Sequence, residues 1–88
     1  MSYLQGKSVL ITGGTGSFGK AFVKRLLKDD EIKKLVVFSR DELKQFEMAE
    51  KISSPKLRYF LGDVRDYQRL VQATDGIDVI VHAAAMKQ

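Results

Sequence analysis

Four glycines, Gly13, Gly14, Gly16 and Gly19, lie between a short apolar run and a stretch of helical periodicity, and they constrain the fold more than any other feature of the chain. Ser8–Thr12 (SVLIT) is brief, rich in β-branched residues and stopped by glycine, which reads as a buried strand. From Ser17 to Lys28 apolar residues recur at Phe18, Phe22, Val23, Leu26 and Leu27, the spacing of a helix face, with Lys20, Lys24 and Lys28 on the other side. A glycine triplet alone is a weak signal. Here Gly13, Gly16 and Gly19 form G-x-x-G-x-x-G between strand and helix, the context that a phosphate-binding turn requires. Gly13 would turn the chain sharply out of the strand. Gly16 would let backbone approach a pyrophosphate with no Cβ in the way, and Gly19 would let the helix pack close on the sheet. Amides at the helix start would face the phosphates, aided by the helix dipole. A turn that only connects two elements needs one glycine, and each ordered extra one costs up to about 0.5–1 kcal/mol relative to alanine. No Gly-Lys-Ser/Thr follows, which disfavours a P-loop.

The rest of the chain repeats the alternation. Asp29 and Asp30 begin a polar connection to a second buried strand, Leu35–Phe38. Ser39 and Glu42 have capping-box spacing, ahead of a helix from about Asp41 to Lys51 with Leu43, Phe46 and Ala49 on one face. Ser53, Ser54 and Pro55 end it. Leu57–Leu61 is a third strand stopped by Gly62, and Asp66 is placed to cap a short helix carrying Tyr67, Leu70 and Val71. Asp75 and Gly76 make a turn, Asp78–His82 is a fourth strand, and Ala83, Ala84 and Ala85 follow. This βαβαβαβ pattern with short connections predicts a parallel α/β sheet with right-handed crossovers. With strand order 3-2-1-4 it is the N-terminal half of a Rossmann doubly wound sheet, residues 1–88 being one partial NAD(P)-binding domain. In that order two helices cover one face and one the other, and strand four is an open edge. Self-association through this edge or the barer face is therefore expected.

In NAD-binding folds of this kind a carboxylate about 20 residues past the glycines binds the adenosine ribose. That count lands on Ser39, followed by Arg40. A hydroxyl beside a guanidinium suits a 2′-phosphate, so NADP is favoured over NAD. Asp41 keeps NAD open, because it could reach the ribose if the strand ended later, and Ser39 could be a helix cap as well as a phosphate ligand. Asp63 is placed to accept from an adenine amine, with the Val64 amide donating to a ring nitrogen, or else Asp63 caps its own turn. The alanines after strand four allow close approach of a ligand or simply of a helix. His82 is a lone histidine at a strand end, more consistent with a packed, hydrogen-bonded residue than with a catalyst.

Composition narrows the function further. Apolar clusters recur along a chain that is 44% hydrophobic and 30% charged, which argues against disorder. There is no cysteine, which excludes a disulfide framework or thiolate metal site and fits a reducing compartment. No run approaches the roughly 20 apolar residues of a membrane span, and Met1–Gly6 lacks the layout of a signal peptide, so a cytoplasmic protein without membrane partners is expected. Net charge is +4. The lysine stripe reads as a solvated face, since the aromatics are not interleaved with it as in a nucleic-acid surface.

These residues resemble the extended short-chain dehydrogenase/reductase superfamily. Within it they are most similar to the nucleotide-sugar 4,6-dehydratases of bacterial polysaccharide and flagellin-glycan biosynthesis, the UDP-N-acetylglucosamine type above all. ITGGTGSFGK (Ile11–Lys20), FSRDELKQ (Phe38–Gln45), GDVRD (Gly62–Asp66) and HAAAMKQ (His82–Gln88) carry the resemblance. It implies pyrophosphate contacts from Thr12, Gly13, Thr15, Gly16, Ser17, Phe18 and Gly19. It further implies 2′-phosphate contacts from Ser39 and Arg40, and adenine contacts from Asp63 and Val64. Ala83, Ala84 and Ala85 would border the inner ribose and nicotinamide, with Lys87 near the active site. It also implies an internal redox reaction on a UDP-sugar and a catalytic Tyr-x-x-x-Lys. Here Tyr59 and Tyr67 are followed four residues on by Asp63 and Val71, so no catalytic residue is assigned and the chain alone is expected to be inactive. The alternatives are the N-terminal part of an epimerase or reductase, a non-catalytic NADP-binding or redox-sensing module, and a basic nucleic-acid binder.

Overall fold

A computed structural model describes residues 4–13, 15–28 and 32–83. Strands β1 (Ser8–Thr12), β2 (Lys34–Ser39), β3 (Leu57–Leu61) and β4 (Val79–His82) alternate with helices α1 (Ser17–Leu27), α2 (Glu42–Lys51) and α3 (Tyr67–Ala73). The sheet is parallel, in the order β3-β2-β1-β4, with Leu10 beside Val36 and Ile80. This is the expected Rossmann-like architecture.

The two central strands are covered on both faces, which is why they read as unbroken apolar runs. Alternate side chains go to opposite sides. Val9, Ile11, Leu35 and Val37 join Val23 and Leu26 of α1 and Met48 of α2 in the larger core. Leu10, Val36 and Phe38 pack with Ala73, and with the half-buried Leu70, under α3. Helices α1 and α2 therefore lie on one face and α3 on the other. Asp78, expected within strand four, immediately precedes it. Its carboxylate accepts from the Ser8 amide and its own amide donates to the Ser8 carbonyl, both at 2.8 Å, which pins β4 to the central strand.

Two local expectations are corrected. Ser39 is not the cap of α2. It remains in β2, paired with Leu61, while its carbonyl accepts from the Gly62 amide at 2.9 Å. The chain leaves the strand only afterwards, so Asp41 caps the helix, accepting from the Lys44 amide at 3.0 Å. The face formed by Leu43, Phe46 and Ala49 does not pack inward: all three are exposed, Leu43 at 65% and Phe46 at 62%. The buried face carries Gln45 and Met48 instead. These also have helical spacing, and the Gln45 carboxamide is accommodated because strand carbonyls accept from it.

Smaller differences are at boundaries: β2 is longer at both ends than Leu35–Phe38, and α1 stops at Leu27 with Lys28 as its C-cap. Asp66 caps α3 as expected, accepting from the Arg69 amide at 3.2 Å, and Gly76 makes its turn at φ +74°. Lys20, Lys24 and Lys28 are exposed. Asp29 and Asp30 lie outside the described residues.

Candidate functional site

The C-terminal ends of the four strands open into a cleft of about 640 Å³. In open α/β sheets ligands bind there, where the strand order reverses, and here the reversal is at β1, between β2 and β4. The walls come from separate connections. Thr12 ends β1, with Gly13 and Thr15 after it; Ser39 ends β2, with Arg40, Asp41 and Lys44 after it; Gly62, Asp63, Val64 and Arg65 follow β3; His82 ends β4.

At Gly13 the chain turns sharply out of β1, as expected. Gly13 has φ +72°, a left-handed conformation that favours glycine. Its carbonyl accepts from the Gly16 amide at 3.2 Å, and its amide donates to the Phe38 carbonyl at 3.2 Å. A Cβ on Gly16 would meet only the Gly13 carbonyl, at 3.6 Å, so packing within the chain does not demand glycine at that position. Gly16 is also the N-cap of α1, where no side chain caps the helix and no acidic residue stands in the first turn. The amides of that turn are therefore free to serve an anion. Gly16, Ser17, Phe18 and Gly19 line a second depression between the glycine turn and α2, which shares Gly13, Thr15 and Lys44 with the first. Gly19 is buried, Phe18 is about half exposed and stacks on Phe22, and buried Ala83 also borders this depression. Ala84, Ala85 and Lys87 lie outside the described residues.

Charge is concentrated at the far wall. Asp63 accepts from the Arg65 guanidinium at 2.8 Å and from the Arg65 amide at 2.9 Å, while Arg40 lies 3.5 Å from the same carboxylate. The Arg65 side-chain bond, then its amide bond, then the charges of Arg65 and Arg40 hold the Asp63 carboxyl well below the ordinary carboxylate range. Asp63 does cap its own turn, and Arg40 pairs with the same carboxylate. The Ser39 hydroxyl accepts from the Asp41 amide at 3.0 Å, and the Asp41 carboxylate is engaged at α2. On the near wall Thr12 Oγ1 and His82 Nδ1 are 2.9 Å apart.

The cleft-lining residues without a site role in the sequence reading are Phe38, Lys44, Gly62 and Arg65, and Asp41 lines the cleft as the cap of α2. Arg65 had a signal, standing two positions past Asp63, the offset at which an amide can close an Asx turn. Among the described residues no group of three or more His, Cys, Asp or Glu could hold a metal, and no helix is long and apolar enough to cross a membrane.

A parallel sheet in this order, with a glycine turn feeding an uncapped helix, defines a Rossmann-type α/β protein. A family profile described as "Polysaccharide biosynthesis protein" matches residues 9–88, and the chain belongs to that family. It is 57% identical over 81 residues to a UDP-N-acetylglucosamine 4,6-dehydratase (inverting) of Campylobacter jejuni subsp. jejuni serotype O:2, covering 92% of this chain and 24% of that protein. It is 51% identical over 85 residues to a UDP-glucose 4-epimerase of Rickettsia akari, covering 93% of this chain and 25% of the relative. Among solved structures, Pen from Bacillus thuringiensis superposes with a TM-score of 0.85 at 40% identity, over 98% of this chain and 28% of Pen. The chain thus spans about a quarter of the length of the curated relatives it matches.

Proposed function

We propose that this chain is the NADP-binding segment of a cytoplasmic nucleotide-sugar 4,6-dehydratase acting on a UDP-sugar in bacterial polysaccharide biosynthesis. The observation that carries this reading is the glycine turn. Gly16 leaves open the space a Cβ would take, at the start of a helix whose first amides have no side-chain cap. Those amides, with Thr12, Gly13, Thr15, Ser17, Phe18 and Gly19, would hold the pyrophosphate. Ser39 and Arg40 would hold the 2′-phosphate. The commitment of Asp41 to the helix cap supports NADP over NAD, because it removes the nearest carboxylate from the ribose position. Asp63 and Val64 would face adenine, and Ala83, Ala84, Ala85 and Lys87 the nicotinamide end. A nicotinamide held there would supply hydride-transfer chemistry. The residues described here bind and orient it, and none is assigned a proton transfer. The 88-residue chain by itself is then inactive, and it self-associates through β4 or the α3 side of the sheet.

Calorimetric titration with NADP+ and NAD+ tests the reading. NADP+ should bind more tightly, and Arg40→Ala should cost on the order of 1.5–3 kcal/mol for NADP+ and erase the preference. If the folded chain takes up neither dinucleotide, the reading fails. The Rickettsia akari relative favours a second reading, the corresponding segment of a nucleotide-sugar epimerase.

A further inference from the structure

Gln45 is the one buried polar side chain of α2, 8% exposed, and it points at the sheet rather than at solvent. Its Nε2 donates to the carbonyl of Ser39 and to the carbonyl of Phe60, both at 3.1 Å. The Ser39 carbonyl is the one that also accepts from the Gly62 amide. One carboxamide therefore ties the helix to the last turns of β2 and β3. Ser39 is the last residue of β2, with Arg40 beyond it, and beyond β3 come Gly62 to Arg65: the two walls of the cleft. On the outer side the same gap is also bridged by the Arg40–Asp63 pair at 3.5 Å, which water reaches through the exposed Arg40 side chain and screens.

The residue type suits the task. A primary amide offers two N–H donors on one nitrogen and carries no charge. A glutamate would set a carboxylate against two carbonyl oxygens, and an apolar side chain of equal length would donate to neither.

We infer that Gln45 is a positioning residue for the cleft: its carboxamide fixes the separation of the β2 and β3 ends, and so the spacing between the 2′-phosphate ligands and the adenine wall. The inference rests on the reading proposed above and adds to it a residue that touches no part of the dinucleotide.

The test uses the full chain, with adenosine 2′,5′-bisphosphate as the probe. Wild type, Gln45→Met and a core-cavity control, Met48→Ala, are compared by calorimetry at a temperature where denaturant titration shows each to be folded. Gln45→Met should raise the probe's Kd about tenfold, the scale on which small misplacements of a site act. Met48→Ala, which also loosens α2, should leave it unchanged. If Gln45→Met does not fold, Gln45→Asn, whose amide falls one methylene short of the strand carbonyls, carries the same comparison. An unchanged Kd in the Gln45 variant overturns the inference and leaves the proposed function standing, as does an equal loss in Met48→Ala. If wild type binds neither the probe nor NADP+, both fail.

Discussion

Arg65 grips Asp63 with both its guanidinium and its own amide: Nη2 is 2.8 Å from Oδ2, Nε is 3.1 Å from Oδ1, and the amide nitrogen is 2.9 Å from Oδ1. Every one of these bonds favours the ionised carboxylate, so Asp63 should stay charged well into acid. The folded-state value lies below the unfolded value of about 3.9. The contribution of the pair to stability is therefore fully present above about pH 4 and fades as pH falls through the folded value. A carboxyl-detected NMR titration should find the Asp63 midpoint lower than that of an ordinary aspartate. Arg65→Ala should move the midpoint upward, because the first and largest cause of the depression is removed. An Asp63 midpoint unaffected by Arg65→Ala contradicts this account.

Asp41→Ala should lower folding stability by about 1 kcal/mol, within the usual range for a lost N-cap. The Lys44 amide loses its acceptor, and α2 begins without a side-chain cap. Denaturant unfolding reads the change directly. Glu42→Ala should cost less, since Glu42 closes no capping box with Ser39 and offers only its charge to the helix start.

Helix α3 and strand β4 carry exposed apolar side chains: Tyr67 is 77% exposed, Val71 49% and Ile80 46%. Ile80 shares a sheet face with buried Leu10, and β4 pairs with β1 alone among the described strands. A sheet edge next to uncovered apolar area invites pairing with another chain. Sedimentation at micromolar concentration should show association that Ile80→Lys weakens. A monodisperse monomer refutes it.

The architecture was legible in the sequence because β1 and β2 are buried on both faces, so every residue from Val9 to Ile11 and from Leu35 to Phe38 had to be apolar. The glycine turn was legible because Gly13 meets a backbone requirement, a positive φ, that few other residues satisfy. What stayed hidden depended on side chains reaching across the fold. Ser39 and Glu42 have capping spacing, but parallel pairing with Leu61 holds Ser39 in the strand. Leu43, Phe46 and Ala49 suggested the packed face of α2, but Gln45 packs inward because two strand ends present carbonyls to it. The Arg40–Asp63 pair joins residues brought together only by the β2–β3 crossover.

Gly62→Ala should destabilise the fold by about 1–3 kcal/mol, the range for forced overpacking. A Cβ there would sit 2.6 Å from Arg69 Cγ and 2.9 Å from Phe38 Cζ. Phe38 is fully buried and cannot swing away. Arg69 is held by its bond to the Leu61 carbonyl at 2.8 Å and by its position 4.2 Å over the Phe60 ring. Both chemical denaturation and hydrogen exchange at the cleft end of β3 should register the change.

Gly16→Ala should do the reverse, leaving the fold intact and damaging the site. The backbone at Gly16 has φ −78° and ψ 176°, which alanine adopts freely, and the new Cβ would meet nothing closer than 3.6 Å. Alanine restricts the unfolded chain, a gain of about 0.4–1 kcal/mol, but it is a poorer N-cap than glycine by a comparable amount. The two effects oppose each other, so unfolding should shift by less than about 1 kcal/mol in either direction. The Cβ would instead occupy the space through which a pyrophosphate approaches the first amides of α1. Affinity for NADP+ should then fall at least about tenfold, or ~1.4 kcal/mol. If Gly16→Ala binds NADP+ as wild type does, the glycine at this position serves the chain and not the ligand, and the phosphate must be held elsewhere in the cleft.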